Sequence, residues 1–422
     1  MSVLQAEAPP SLPIGTTPPS GEFSENPPEA IPPIEQRMGP GKFPGLWKPV
    51  RSAFWAIHVA FGSACLILML AILAAIPGLN FLTLILTLGY LIDPQRRVAN
   101  SGRLRDGFPL MTLAPRLGVI VFFSILFLIP IRLQATRTSD AAVILGESHE
   151  RVMQMASNLR ILQYIVTTHL MLAIARGGTV GCFLRPIKNA MWIIRKVFSS
   201  KGREEMSAGL EQVLELVRPV HHFLIGLKAF FGAVLWLIVP AGLMVAYSAP
   251  NRTSPLFGLL SFLGVLIMIP VTAWLPLLQV HQAVTGKFRS IFKISVARRV
   301  IRNAPLSWML TTVLMYAMTF PLYLAKIRLL PADAMLLLTP FFIILTYPAR
   351  ILVAWAYHRG MAQDRLAWFP LRWGIRLLML PLLFAHAGFL FVTPTISELG
   401  KNAPLENQAF LGPVPYAQWQ RK

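Results

Sequence analysis

Charge is what this sequence has least of: only 14% of its residues are charged, against about a quarter in an ordinary soluble domain. A surface facing water cannot be covered at that density, so a soluble globular fold is excluded and much of the surface must face lipid. Acidic residues are the scarcer kind, 18 Asp and Glu against 39 Lys and Arg, for a net charge of +21. None of the 18 falls inside the long apolar runs defined below. A carboxylate at membrane depth costs a few kcal/mol to insert and marks a proton or cation path. Ion-coupled transport and two-aspartate proteolysis are therefore not expected.

Cysteine is nearly absent. Cys65 and Cys182 cannot make a disulfide framework and read as unpaired thiols. Signatures of common chemistries are missing too: no H-E-x-x-H for zinc, no G-x-S-x-G nucleophile elbow, and no phosphate loop, since Thr285-Gly286-Lys287 has His281 where the first glycine belongs. Gly146-Glu147-Ser148-His149 matches a hydrolase fragment by chance only. No histidine pair sits four residues apart in a helical register, so no metal site or cofactor is expected. Met1 to Pro10 lacks the basic start and apolar core of a cleavable signal, and insertion is expected to be driven by the first spanning helix.

What is present is apolar: 55% of the chain. Residues 1–46 form a Pro- and Glu-rich tail with too little apolar surface to offset its ordering entropy. Apolar runs follow at 54–76, 117–133, 161–175, 222–247, 256–280, 306–325, 335–357 and 373–393, approaching the roughly 20 residues a helix needs to cross hydrocarbon. The third is short, and a helix opening at Ser139 is expected to lengthen it. Residues 81–92 are too few to cross unaided and read as a re-entrant half-helix or a buried return segment. The fold expected is all-α: a polytopic transmembrane helical bundle of about eight spanning helices plus that short segment. The membrane domain takes residues 47–396 and the C-terminal tail 397–422.

Orientation follows from the basic residues. With the N-terminus inside and 81–92 bringing the chain back, 26 Lys and Arg lie in inside stretches and 10 in outside ones, with Lys228, Arg350 and Arg376 within spans. The positive-inside rule then predicts a cytoplasmic N-terminus, an extracytoplasmic C-terminus and a bacterial inner membrane. The basic residues sit between apolar runs rather than on one polar face, which argues against nucleic acid as partner. Trp47, Trp55, Trp192, Trp355, Trp368 and Trp373 fall at predicted interfaces, where an amphipathic ring is stable. Prolines within or beside spans, such as Pro240, Pro270, Pro276 and Pro348, predict kinked, buried helices.

Two basic stretches, at about 184–217 and 287–303, are expected to hold amphipathic helices in the cytoplasmic interface. In 184–198, Ile187, Ala190, Met191, Ile194 and Val197 share one face, beside Arg185, Lys188, Arg195 and Lys196. In 287–303, Phe288, Phe292, Val296 and Val300 form a stripe beside Arg289, Arg298 and Arg299. Residues 204–217 are acidic and read as a cytosolic helix packed on a loop or a membrane-protein partner. The candidate contacts for anionic phospholipid are Arg103, Arg105, Arg289, Arg298, Arg299 and Arg350, the last by snorkelling. His58, His169 and His386 are the residues an enzyme would have to use.

A short repeat is visible. Val98-Ala-Asn-Ser-Gly-Arg-Leu-Arg-Asp-Gly-Phe108 matches Gln282-Ala-Val-Thr-Gly-Lys-Phe-Arg-Ser-Ile-Phe292 in the pattern A-x-[ST]-G-[KR]-x-R-x-x-F. Duplication of a membrane unit and chance likeness between two basic loops both produce this.

Leu88-Gly89-Tyr90 leading to Ser101-Gly102-Arg103-Leu104-Arg105-Asp106-Gly107-Phe108, Ala175-Arg176-Gly177-Gly178, Pro321 to Ile327, and Pro348-Ala349-Arg350 with Trp355-Ala356-Tyr357 together resemble an uncharacterised multi-pass bacterial inner-membrane protein family, a domain of unknown function. The resemblance covers most of 50–390 and implies a membrane bundle; it carries over no functional residue. Three classes of function stay open: a non-enzymatic membrane or envelope component contacting anionic lipid, which the lack of visible chemistry favours; an uncoupled transporter or channel; and a lipid-modifying enzyme.

Overall fold

A computed structural model describes residues 43–75, 80–109, 111–197, 199, 204, 218–248, 255–327, 332–397 and 400–406. The tail up to residue 42, the turn at 77–79, the acidic stretch 205–217 and the C-terminal tail after 406 lie outside the described residues. Everything regular among the described residues is helical. The long helices are α1 (Pro49–Ala75), α2 (Asn80–Ser101), α3 (Ala114–Leu145), α4 (Glu150–Ala175), α7 (Pro219–Met244), α8 (Pro255–Thr285), α10 (Pro305–Ile327), α11 (Ala332–Ala362) and α12 (Phe369–Ile396). Shorter ones are α5 (Val180–Phe183), α6 (Pro186–Val197), α9 (Ile294–Asn303) and α13 (Ala403–Glu406). Seven of them, α1, α3, α7, α8, α10, α11 and α12, are long and apolar enough to cross a membrane. The chain is an all-α, polytopic helical bundle. The expected span at 161–175 is the second half of α4, which has the length but is not among those seven.

The segment expected to be too short is the most instructive helix. The apolar run 81–92 does not stop at Asp93: α2 continues through Pro94 to Ser101, 22 residues or about 33 Å at 1.5 Å per residue. The short re-entrant or return segment expected at 81–92 is therefore corrected to the first part of a longer helix. Asp93, Gln95, Arg96 and Arg97 break the apolar pattern, but all four are buried and bonded within the protein. Polar residues satisfied in this way do not end a buried helix. α2 is the axis of the bundle, packed on α7, α11, α1 and α8.

α2 and α7 meet at two glycines. A Cβ on Gly89 would collide with the His222 carbonyl, and one on Gly226 with the Ile85 carbonyl. The two helices therefore touch backbone to backbone, with Ile85, Leu88, Ile92 and Ala229 filling the seam. Small residues at a helix crossing permit this close approach, and in lipid, dispersion contact is a main source of helix association.

Among the described residues, the connectors after α2, α8 and α11 meet the start of α7 at one end of the bundle, which their Lys and Arg residues make basic. There, Lys228 near the start of α7 donates to the Gly286 carbonyl just past α8 (2.9 Å). His358 near the end of α11 bonds the Ala99 carbonyl near the end of α2 (2.8 Å). Gly360 abuts Val300 of α9, and the Ala367 N–H, ahead of α12, donates to the Arg302 carbonyl (3.3 Å).

α3 and α4 form a hairpin packed on α1, with its own small core of Phe123, Val166, Leu170, Ala173, Cys182 and Phe183. The rings of Phe123 and Phe183 stack at 4.9 Å. At the basic end the hairpin closes through Arg116, whose Nε donates to the Gly177 carbonyl at 2.6 Å. Asn189, fully buried on α6, takes a hydrogen bond from Arg176 (3.0 Å) and donates to the Cys182 carbonyl (2.7 Å). Asn189→Leu leaves both partners unsatisfied and is expected to cost about 2 kcal/mol, releasing α6. Amide exchange across 186–197 in the full-length protein reads this directly, with faster exchange in the variant than in the parent.

Candidate functional site

The buried polar groups concentrate in the half of the bundle nearest the basic end. Asp93 accepts from Arg96 (3.1 Å) and from Arg97 (2.7 Å), an i, i+3, i+4 fork that one helical turn of α2 supplies. Asp93 lies beyond the apolar stretch of α2. Both guanidiniums lie within ion-pair distance of the buried carboxylate, at 3.0 Å for Arg96 and 2.7 Å for Arg97. Tyr90, one turn earlier, stacks on His222 of α7 at 4.1 Å. On α8, His281 Nδ1 lies 2.8 Å from the Tyr357 hydroxyl of α11.

Most other polar side chains here end on backbone carbonyls. Gln95 donates to Arg350 O (3.1 Å) and Tyr347 to Gly107 O. Trp236 donates to Ile291 O (3.0 Å), Gln282 to Lys228 O (3.0 Å), and Asn303 to Gly360 O and Gln363 O. Deeper in the bundle, Thr87, Thr272, Thr311, Thr319 and Thr346 each donate to a carbonyl of their own helix four residues back. These bonds hold backbone together.

The sequence repeat has the same structure twice. Each copy ends a deeply buried helix with a glycine in the left-handed region, Gly102 (φ 70°) and Gly286 (φ 67°). Each glycine N–H bonds four residues back, to Val98 O and Gln282 O, a helix stop that glycine adopts without strain. A 3-10 turn follows, Leu104–Gly107 and Phe288–Phe292. The carbonyls at matching positions, Gly107 and Ile291, each take a hydrogen bond from an aromatic side chain, Tyr347 and Trp236. The match also extends backward, pairing Gln95 with Gln279 and Arg97 with His281.

The candidate arginines divide. Arg350 is 1% exposed inside the core, so it does not snorkel to a surface; its backbone carbonyl takes the Gln95 hydrogen bond from α2. Arg103, Arg289, Arg298 and Arg299 are exposed and Arg105 half-buried. Arg105 pairs loosely with Asp106 (3.6 Å), Arg299 with Asp364 (3.2 Å), and Arg298 lies over the Trp274 ring (5.4 Å).

The two amphipathic stretches differ. The apolar stripe expected in 287–303 is broken, because Gly286 and the 3-10 turn reset the helical phase. α9 starts only at Ile294 and buries Ala297, Val300 and Ile301 against the protein. α6 does the opposite. Its buried anchor is polar Asn189, while Ile187 is 74% exposed and Met191 and Ile194 face out beside Lys188 and Arg195.

Of the histidines an enzyme would need, His58 is exposed. His169 Nε2 lies 2.9 Å from the Phe183 carbonyl, and His386 stacks on Tyr316 at 4.3 Å. Among the described residues none of the three is hydrogen-bonded to a second polar side chain, and no three His, Cys, Asp or Glu group as metal ligands. The Asp93 fork was missed by sequence reasoning. The signal available was D-P-x-R-R directly after an apolar run, with the spacing of an intrahelical ion pair. Comparison of the chain with family models, curated proteins and solved structures gives no match.

Proposed function

We propose that this chain is a non-enzymatic component of a bacterial inner membrane, with its N-terminus and basic end in the cytoplasm and that end held against anionic phospholipid. The observation that carries this reading is the outward apolar face of α6. Ile187, Met191 and Ile194 point away from the protein, bordered by cationic side chains. A helix of that kind buries its apolar side at the headgroup boundary and keeps its cations among the phosphates. Arg103, Arg289, Arg298 and Arg299, exposed at the same end, extend the cationic surface. The carbonyl-directed polar bonding of the interior supports a fixed framework, and the resemblance to a multi-pass bacterial inner-membrane family belongs to the same proposal.

The test compares the full-length protein in nanodiscs of phosphatidylcholine with discs containing phosphatidylglycerol. Slower amide exchange across 186–197 and a higher Tm in the anionic discs, both reduced by added salt, are expected. Equal exchange and equal Tm in the two lipids would remove the anionic-lipid part of the reading.

A second reading, an uncoupled transporter or channel, draws on the duplicated helix stop at Gly102 and Gly286, since transporters are often built from repeats. Solute flux into proteoliposomes above that of protein-free vesicles would favour it over the first.

A further inference from the structure

The N-terminus of α12 carries the wrong charges for a helix start. The helix macrodipole places partial positive charge there, which acidic side chains or bound anions stabilise. α12 has no acid in its first turn, no side-chain cap from Trp368, and a proline at its start. Its second turn instead presents Arg372, followed by Arg376 one turn later. Arg302, from the end of α9, joins them: its carbonyl holds the Ala367 N–H. Arg372 and Arg302 are the charged neighbours that act on Arg376.

None of the three arginines makes an ion pair among the described residues. Asp364, the nearest acid in sequence, pairs with Arg299. Arg372 lies over the Phe369 ring (5.8 Å) and Arg376 over the Trp373 ring (5.5 Å), which fixes both guanidiniums. The Arg372 Nε is buried with no hydrogen-bond partner in the protein, and a buried charged donor left so is costly. Packing alone gives no reason to gather three cations at the positive end of a helix. A phosphate there would answer the macrodipole and the mutual repulsion together.

We propose that Arg302, Arg372 and Arg376 form a binding site for the phosphate of an anionic phospholipid. A lipid is preferred to a free anion because of what borders the cluster. Trp368, Phe369 and Trp373 are exposed around it, and Leu377 and Leu378 continue outward along α12. That is a ring of amphipathic residues leading into an acyl-facing surface. Arginine suits the task, since its planar fork meets phosphate oxygens in pairs. The site rests on the membrane reading above for its leaflet.

The experiment counts lipids retained by the full-length protein in native mass spectrometry, titrated with phosphatidylglycerol or phosphatidylcholine. Parallel thermal shifts use inorganic phosphate and a water-soluble glycerophosphate. The triple variant Arg302→Gln, Arg372→Gln, Arg376→Gln is expected to bind phosphatidylglycerol roughly tenfold more weakly, the size of one lost charged hydrogen bond or more, with phosphatidylcholine binding unchanged. Exposed Arg302→Gln alone, which leaves the α12 packing intact, is expected to show part of the loss and covers the case of a triple variant that does not fold. Unchanged phosphatidylglycerol binding in a folded variant overturns the site. Stabilisation by inorganic phosphate equal to that by lipid overturns the lipid assignment. A parent protein with no preference for phosphatidylglycerol defeats the broader anionic-lipid reading. A parent preference that survives the triple variant defeats this site alone.

Discussion

Gly226→Leu is expected to destabilise the bundle by about 3 kcal/mol, the upper end of what overpacking costs, because the added side chain has no direction in which to go. The obstacle is backbone: the Ile85 carbonyl and the Gly89 amide of α2 occupy the position of its Cβ. Backbone cannot rotate aside as a flexible side chain can, so α2 and α7 must separate, and the seam of Leu88, Ile92 and Ala229 opens with them. Even Gly226→Ala should lower the midpoint measurably. Gly242 and Gly258 face open space, and their alanine variants should unfold like the parent. Detergent-resistant thermal unfolding of the four proteins side by side checks the expectation. Equal midpoints for Gly226→Leu and Gly258→Ala would mean that the two helices are not in backbone contact.

Asp93→Asn should be about as damaging, at roughly 3–5 kcal/mol. The amide keeps the shape but removes the charge that two buried guanidiniums share. Adding Arg97→Met is expected to restore part of the loss, because a buried pair replaced by apolar groups costs much less than a broken one. Variants whose losses simply add would show that Asp93 and Arg97 do not act as a unit.

The bundle was readable in the sequence wherever one apolar face met another, because hydropathy records burial in lipid and in protein alike. α7, α8 and α10 fall close to their expected runs. The reading failed where polarity is buried. Asp93, Arg96 and Arg97 looked like the start of a loop, since sequence alone does not show that their charges satisfy one another inside a helix. Arg350 looked like a snorkelling cation because a lone arginine near a span end carries no record of which neighbour it faces. The stripe through Phe288 and Val300 assumed one continuous helix, whereas Gly286 ends α8 and the 3-10 turn shifts the phase before α9 begins. α6 was legible because its periodicity is unbroken from Pro186 to Val197. The arginine cluster at α12 was not, because Arg302 is remote in sequence from Arg372 and Arg376.

The arrangement of lipid-facing helices around one cationic end is tested most directly by compartment reporters inserted after Arg105 and after Arg289 in otherwise intact protein. Both connectors leave buried helices that finish at the same end of the bundle, so both reporters should be active only in the cytoplasm. Reporters that sense opposite compartments would contradict the topology and every assignment of a basic connector built on it.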